Sequence, residues 1–99
     1  MARVSVGFHP AAGQEAEAAY DWYAARDPNV ADAFRDELQH AVEAVARSPL
    51  TWPRQGRGTR RYVFPRYPFS LVYRLRDDQA EILAVAHAKR RPGYWRSLL

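Results

Sequence analysis

Asp27-Pro28 divides two stretches of helical periodicity and leaves almost no chain between them. Asp27 can cap a helix, and Pro28 suits a first helical position, where its missing N–H costs nothing. Downstream, Val30, Phe34, Leu38, Ala41 and Val45 recur in steps of 4, 4, 3 and 4. That spacing predicts an amphipathic helix ending near Arg47, with Ser48-Pro49 as its stop. Upstream, Ala12, Ala16, Ala19 and Tyr23 share one helical face, with Tyr20 and Trp22 beside them, and predict a helix over 11–26. So short a link makes the two helices antiparallel neighbours, and alanine at the facing positions allows close approach. A hairpin of this kind has to bury its apolar side against a second layer.

The rest of the chain supplies strands for that layer. Val4, Val6 and Phe8 alternate with Arg3, Ser5 and Gly7 until His9-Pro10 stops the run. Residues 49–58 hold Pro49, Pro53, Gly56 and Gly58 and read as a loop. Thr59 to Phe64 is a strand cut by Pro65. In the next strand Phe69, Leu71, Tyr73 and Leu75 occupy one face, and Ser70, Arg74 and Arg76 the other. Asp77-Asp78-Gln79 is a turn, and the nearly all-apolar run from Glu81 to His87 should be central. The expected fold is α+β: a strand, an antiparallel helical hairpin, then a three-stranded antiparallel meander with the helices on one face. One domain spans residues 1–99.

With 99 residues, 47% hydrophobic and 26% charged, the chain is an ordinary small globule with a thin core. The absence of cysteine excludes disulfides, thiolate metal sites and a cysteine nucleophile. No apolar run approaches the ~20 residues that span a bilayer. The segment Met1 to Phe8 is too short and too alternating for a leader. A cytoplasmic protein without membrane contact is the expectation. Charge is unevenly spread. Residues 1–50 hold 4 Lys and Arg against 8 Asp and Glu, net −4, whereas residues 51–99 hold 11 against 3, net +8. The second half therefore offers a basic surface for nucleic acid or an acidic protein segment.

No glycine-rich phosphate loop or nucleophile elbow is present, and His9, His40 and His87 lie far apart in sequence. No metal or cofactor is expected. The acids of the first half read as solvated charges on the polar helix faces, with Glu15 and Glu17 near a helix start where the dipole favours them. The informative stretch runs from His87 to Arg96. It leaves a buried strand and at once presents Lys89, Arg90, Arg91 and Arg96 with Tyr94 and Trp95. These cations can grip an anionic target while an aromatic stacks on it. For Trp95 packing back on the sheet competes with that role, because a thin core favours a large side chain. Arg57, Arg60 and Arg61 form a second cluster. In a meander, Arg60 or Arg61 (alternation allows only one), Arg74 and residues 87–91 converge on the sheet face opposite the helices. The candidate target-binding set is Arg57, Arg60, Arg61, Arg74, Lys89, Arg90, Arg91 and Trp95.

Ala19, Tyr23, Pro28 and Phe34 of the hairpin, Pro49, Arg61, Phe64-Pro65, Tyr73-Arg74, and the ending Ala86-His87-x-x-Arg90-Arg91-Pro92-x-Tyr94-Trp95 resemble the RelE/ParE superfamily of type II toxin–antitoxin toxins. The likeness spans nearly the whole chain, and its ending is similar to the group called plasmid stabilisation proteins. It implies a small toxin neutralised by a cognate antitoxin. RelE-like members bind the ribosome and cut mRNA without a metal, whereas ParE-like members inhibit DNA gyrase and are not regarded as nucleases. On the RelE pattern Tyr94 matches the C-terminal tyrosine, Arg61 the central-strand arginine, and Arg90 the basic residue before the tyrosine. Two departures weigh against that pattern. Ala88 stands where an arginine is expected after the last strand, and the paired lysines of the earlier loop are replaced by Arg54 and Arg57.

A nuclease would need a base for the 2′-hydroxyl, cations for the phosphate oxygens and an acid for the leaving 5′-oxygen. His87 is the residue type for proton transfer near neutral pH. Arg61 and Arg90 would clamp the phosphate, since arginine does not readily lose a proton. Tyr94 would carry a proton or stack. The incomplete constellation favours a ParE-like, gyrase-directed toxin. A RelE-like mRNA endonuclease is the alternative, and a non-toxic basic nucleic-acid-binding protein is the reading of a different class.

Overall fold

A computed structural model describes residues 3–99. Met1 and Ala2, part of the stretch read against a leader, lie outside the described residues. The apolar run that suggested a central strand is β4 (Gln79–His87), and it occupies the interior of a four-stranded sheet. The other strands are β1 (Ser5–Phe8), β2 (Thr59–Val63) and β3 (Phe69–Arg76), in the order β1-β4-β3-β2. β2, β3 and β4 form the expected antiparallel meander. β1 adds to it in parallel, pairing Val6 with Ala80 and Phe8 with Ile82. That parallel contact requires the chain to cross over from one end of the sheet to the other, and the helical hairpin is the crossover.

The hairpin comprises α1 (Pro10–Ala24) and α2 (Pro28–Arg47). The Asp27 carboxylate accepts the Asn29 N–H at 2.9 Å, as the sequence suggested. His9 does more than stop β1. Its Nδ1 accepts the Ala11 N–H at 3.0 Å, so the imidazole caps α1 and the helix starts at Pro10. Of the α2 stripe, Phe34, Ala41 and Val45 are fully buried, Leu38 is partly buried, and Val30 at the first turn is exposed. All but Val30 pack with Ala12 and Ala19 of α1 against Leu71, Tyr73, Ile82 and Val85 of the sheet.

A register shift between Val72 and Tyr73 sets Ala84 opposite Val72 and Ile82 opposite Tyr73, leaving Leu83 as the extra residue. Before this bulge Ala80 and Ile82 face the hairpin, and after it Val85 does. The bulge turns Ala84 and Ala86 to the opposite face, where Trp95 covers Val72 and Ala84. Trp95 belongs to a 3₁₀ helix, Tyr94–Leu98, into which the C-terminal segment folds.

One buried acid fastens the β2–β3 connection. Glu37 of α2 accepts the backbone N–H groups of Arg66 at 3.1 Å and Tyr67 at 2.8 Å, and the Arg66 Nε at 3.2 Å. Burial alone would raise its pKa, but the hydrogen bonds prevail and hold it below the usual carboxylate range. A depressed folded-state value stabilises the fold above the unfolded-state pKa, and that stabilisation is lost as pH falls through the folded-state value. Glu37→Gln should cost about 1–3 kcal/mol at neutral pH. The gap between variant and wild type in urea midpoints should then close on acidification through the carboxylate range. A gap independent of pH would show that the ionised form is not what the loop requires.

Candidate functional site

The face of the sheet opposite the hairpin carries a cleft of about 330 Å³. Register decides which arginines reach it. Arg61 pairs with Val72 and shares its face, so its exposed side chain lines the cleft. Arg60 pairs with Tyr73 and shares the hairpin side. There its Nη1 donates to the carbonyls of Leu50 at 3.1 Å and Trp52 at 2.8 Å, which pins the 49–55 loop. Arg74 is on the face expected for it, but its Nε donates to Glu81 at 2.8 Å and it lies outside the cleft. Arg57 sits exposed in the Gly56–Gly58 turn with a φ of 54°, and it too is outside. The sequence pattern clusters Arg57, Arg60 and Arg61 and lets one of Arg60 and Arg61 converge with Arg74 and residues 87–91. Of these arginines Arg61 lines the cleft, and Arg57, Arg60 and Arg74 do not.

The other wall comes from the C-terminal segment. His87, Arg90, Arg91 and Arg96 line it, and Trp95 is buried beneath it against Val72 and Ala84. Trp95 therefore supports the wall and has no exposed ring to stack on a target. Gly93 makes the turn into the 3₁₀ helix at a φ of 77°, and a Cβ there would meet Arg96 at 2.7 Å. Among the described residues, the cleft is lined by four arginines and a histidine and by no Asp or Glu. Neutral donors add to this set. Nε2 of Gln55, which also lines the cleft, is buried without a partner. Nδ1 of His87 accepts the Lys89 N–H at 3.0 Å, which leaves Nε2 as the donating nitrogen of a neutral ring. Its ring also packs edge-on against Phe69 with centroids 5.1 Å apart.

The tyrosine and the arginine matched to the nuclease pattern are engaged with an acid. Tyr94 donates its hydroxyl to Glu15 at 2.5 Å, and the Arg90 guanidinium stacks on the Tyr94 ring, 3.8 Å from its centroid. Arg90 also lies 3.6 Å from the same Glu15 oxygen. Burial, reinforced by the Glu15 carboxylate, pushes the Tyr94 phenol well above the ordinary tyrosine range. Glu15 and Glu37 are the partly and fully buried acids that sequence reasoning misses. The sequence pattern reads both as solvated charges on polar helix faces and places Glu15, with Glu17, near a helix start where the dipole favours acids. The first turn of α1 holds no acid, because the helix starts at Pro10.

Arg90 and His87 also border a second hollow, of about 730 Å³, on the hairpin side. Its floor is Phe69 and Val85, and α1 contributes Ala18, Ala19, Trp22 and Tyr23. Lys89 and Arg90 supply positive charge at its rim, where Glu15 also lines it and offsets part of the Arg90 charge. Trp22 is 54% exposed there, an unusual state for so large an apolar side chain. Among the described residues no group of three or more His, Cys, Asp or Glu is placed to hold a metal. Among them, too, no helix is long and apolar enough to cross a membrane.

A mixed sheet backed by a crossover hairpin, with a cleft of donors on its open face, defines a small α+β protein suited to receiving anionic groups. Residues 6–92 match the family profile described as "ParE toxin of type II toxin-antitoxin system, parDE", and the chain belongs to that family. It is a RelE/ParE-superfamily toxin of a type II toxin–antitoxin system, which sets aside the reading as a non-toxic nucleic-acid-binding protein. A solved structure described as "Chromosomal ParDE TA system from P. aeruginosa" is similar in fold, with a TM-score of 0.75 and 21% identity over 86% of this chain and 96% of that one. Comparison with curated proteins finds no match.

Proposed function

We propose that this toxin is ParE-like: it inhibits DNA gyrase by binding through the donor-lined cleft, performs no nuclease chemistry, and is neutralised by a cognate antitoxin. The observation that carries this reading is the engagement of Tyr94 and Arg90 with Glu15. A phenol raised by burial and already donating to a carboxylate is a poor base and a spent donor. An arginine stacked on that phenol is not free to clamp a scissile phosphate. Of the four residues given nuclease roles, His87 and Arg61 alone remain available, and since only His87 can transfer a proton the pair does not supply both the acid and the base. Binding requires less: fixed cations, unpaired donors and a rigid wall, all of which the cleft has.

The antitoxin suits the second hollow. Its apolar floor and cationic rim fit an acidic amphipathic segment, in keeping with the net +8 of residues 51–99. Purified toxin should inhibit gyrase supercoiling and leave mRNA on programmed ribosomes intact. Adding the antitoxin encoded beside it should restore supercoiling. Codon-phased mRNA cuts with supercoiling unaffected would overturn the reading in favour of the RelE-like one.

A further inference from the structure

β1 ends at Phe8, opposite Ile82, so β4 continues for another turn of residues with no neighbouring strand on that side. The N–H of Val85 would be left without a partner there. Glu15 fills the gap from α1: one carboxylate oxygen accepts the Val85 N–H at 3.0 Å. Its other oxygen takes the Tyr94 hydroxyl and faces Arg90. Tyr94 and Arg90 belong to the segment that forms one wall of the cleft. A single side chain therefore joins α1, the bare edge of β4 and the cationic C-terminal segment. It is only 22% exposed in its side chain, so its charge is compensated by these three contacts and partly by solvent.

We infer that Glu15 is the positioning residue of the target-binding wall, holding Arg90 and Tyr94 in one place relative to Arg61 by tying them to β4. Glu15 touches no target itself. It fixes the geometry in which the arginines meet one. The inference rests on the gyrase-binding reading for its functional consequence, but its structural core does not. Tyr94 shares the cleft with His87, Arg61, Arg90, Arg91 and Arg96, and Tyr23 and Lys89 border the hollow onto which Glu15 and Arg90 open, so these are the other titratable and charged groups against which a change at Tyr94 must be judged.

The test uses the full-length toxin with tyrosines labelled at the ring Cζ. In the wild type, the Tyr94 resonance, assigned with Tyr94→Phe, should resist ionisation to higher pH than free tyrosine. In Glu15→Gln it should titrate closer to free tyrosine. Loss of one charge-assisted contact set should speed tryptic cleavage after Lys89 and Arg90 roughly tenfold. The urea midpoint should move too little to account for that acceleration. Tyr94→Phe provides the second variant, should Glu15→Gln fail to fold, and it too should cleave faster. Unchanged titration and cleavage, or cleavage that rises only in proportion to lost global stability, would overturn the inference. These readouts need no gyrase. A wild type inert toward gyrase would sink the proposed function while leaving them intact. If the wild type inhibits, Glu15→Gln should inhibit more weakly.

Discussion

Phe34→Ala should destabilise the fold by about 3–5 kcal/mol, a large part of what a domain this small possesses. Phe34 is fully buried on α2, and its ring touches Tyr23, Phe64, Tyr67 and Phe69 at centroid distances of 5.3 to 6.2 Å. These partners come from α1, from β3 and from the β2–β3 connection, so the ring joins both layers. Tyr67 is held in turn by its hydroxyl on the Val30 carbonyl and by its N–H on Glu37. Partners restrained in this way have little freedom to collapse into the space left behind, which places the cost toward the upper part of the range. Leu38→Ala, at the partly buried rim of the same stripe, should cost about 2 kcal/mol. Urea denaturation followed by circular dichroism would read both. Equal midpoint shifts for the two variants would show that the stripe has been placed against the wrong layer.

The same stripes explain what was legible in the sequence. The hairpin could be read because Asp27-Pro28 and the 4, 4, 3, 4 spacing are local signals. The meander could be read because β3 alternates cleanly. β4 hid its bulge because nearly every residue around Leu83 is apolar, so the change of face leaves no trace in the pattern. The pairing of β1 with β4 is a long-range choice that no short window records. Glu15 and Glu37 did leave a signal. Glu15 lies three residues after Ala12 and four before Ala19, and Glu37 lies three after Phe34 and four before Ala41. Each acid therefore sits within a buried stripe and not opposite it. A carboxylate in that position has to find donors or stay protonated, and both found backbone N–H groups of the sheet or its connections. The arginine cluster was legible only as composition. Choosing Arg61 over Arg60 required the register of β2, and excluding Arg74 required its partner Glu81.

That sorting of arginines leads to the largest expected functional effect. Arg61 and Arg91 are exposed, face the cleft from opposite walls, and have no carboxylate partner among the described residues. Reversing both to Glu places negative charge among the remaining cations and removes two contacts with an anionic target. Contacts of this type lose about 2–5 kcal/mol when one partner of a desolvated pair is lost, so on the proposed gyrase-directed reading a double reversal should weaken inhibition by at least roughly 10²-fold. The fold should hardly respond, because surface substitutions away from packed features usually stay within about 0.5 kcal/mol. Arg57→Glu changes charge equally per site but lies outside the cleft, and it should alter inhibition by less than about threefold if position and not net charge governs binding. If antitoxin docks at the hairpin-side hollow as proposed, its binding should survive the double reversal, since neither Arg61 nor Arg91 borders that hollow. Supercoiling assays at several ionic strengths, with thermal melts of each variant, would measure all of this. If Arg57→Glu proves as damaging as the reversal of Arg61 and Arg91, the toxin is using its overall charge, and the cleft is not where it meets its target.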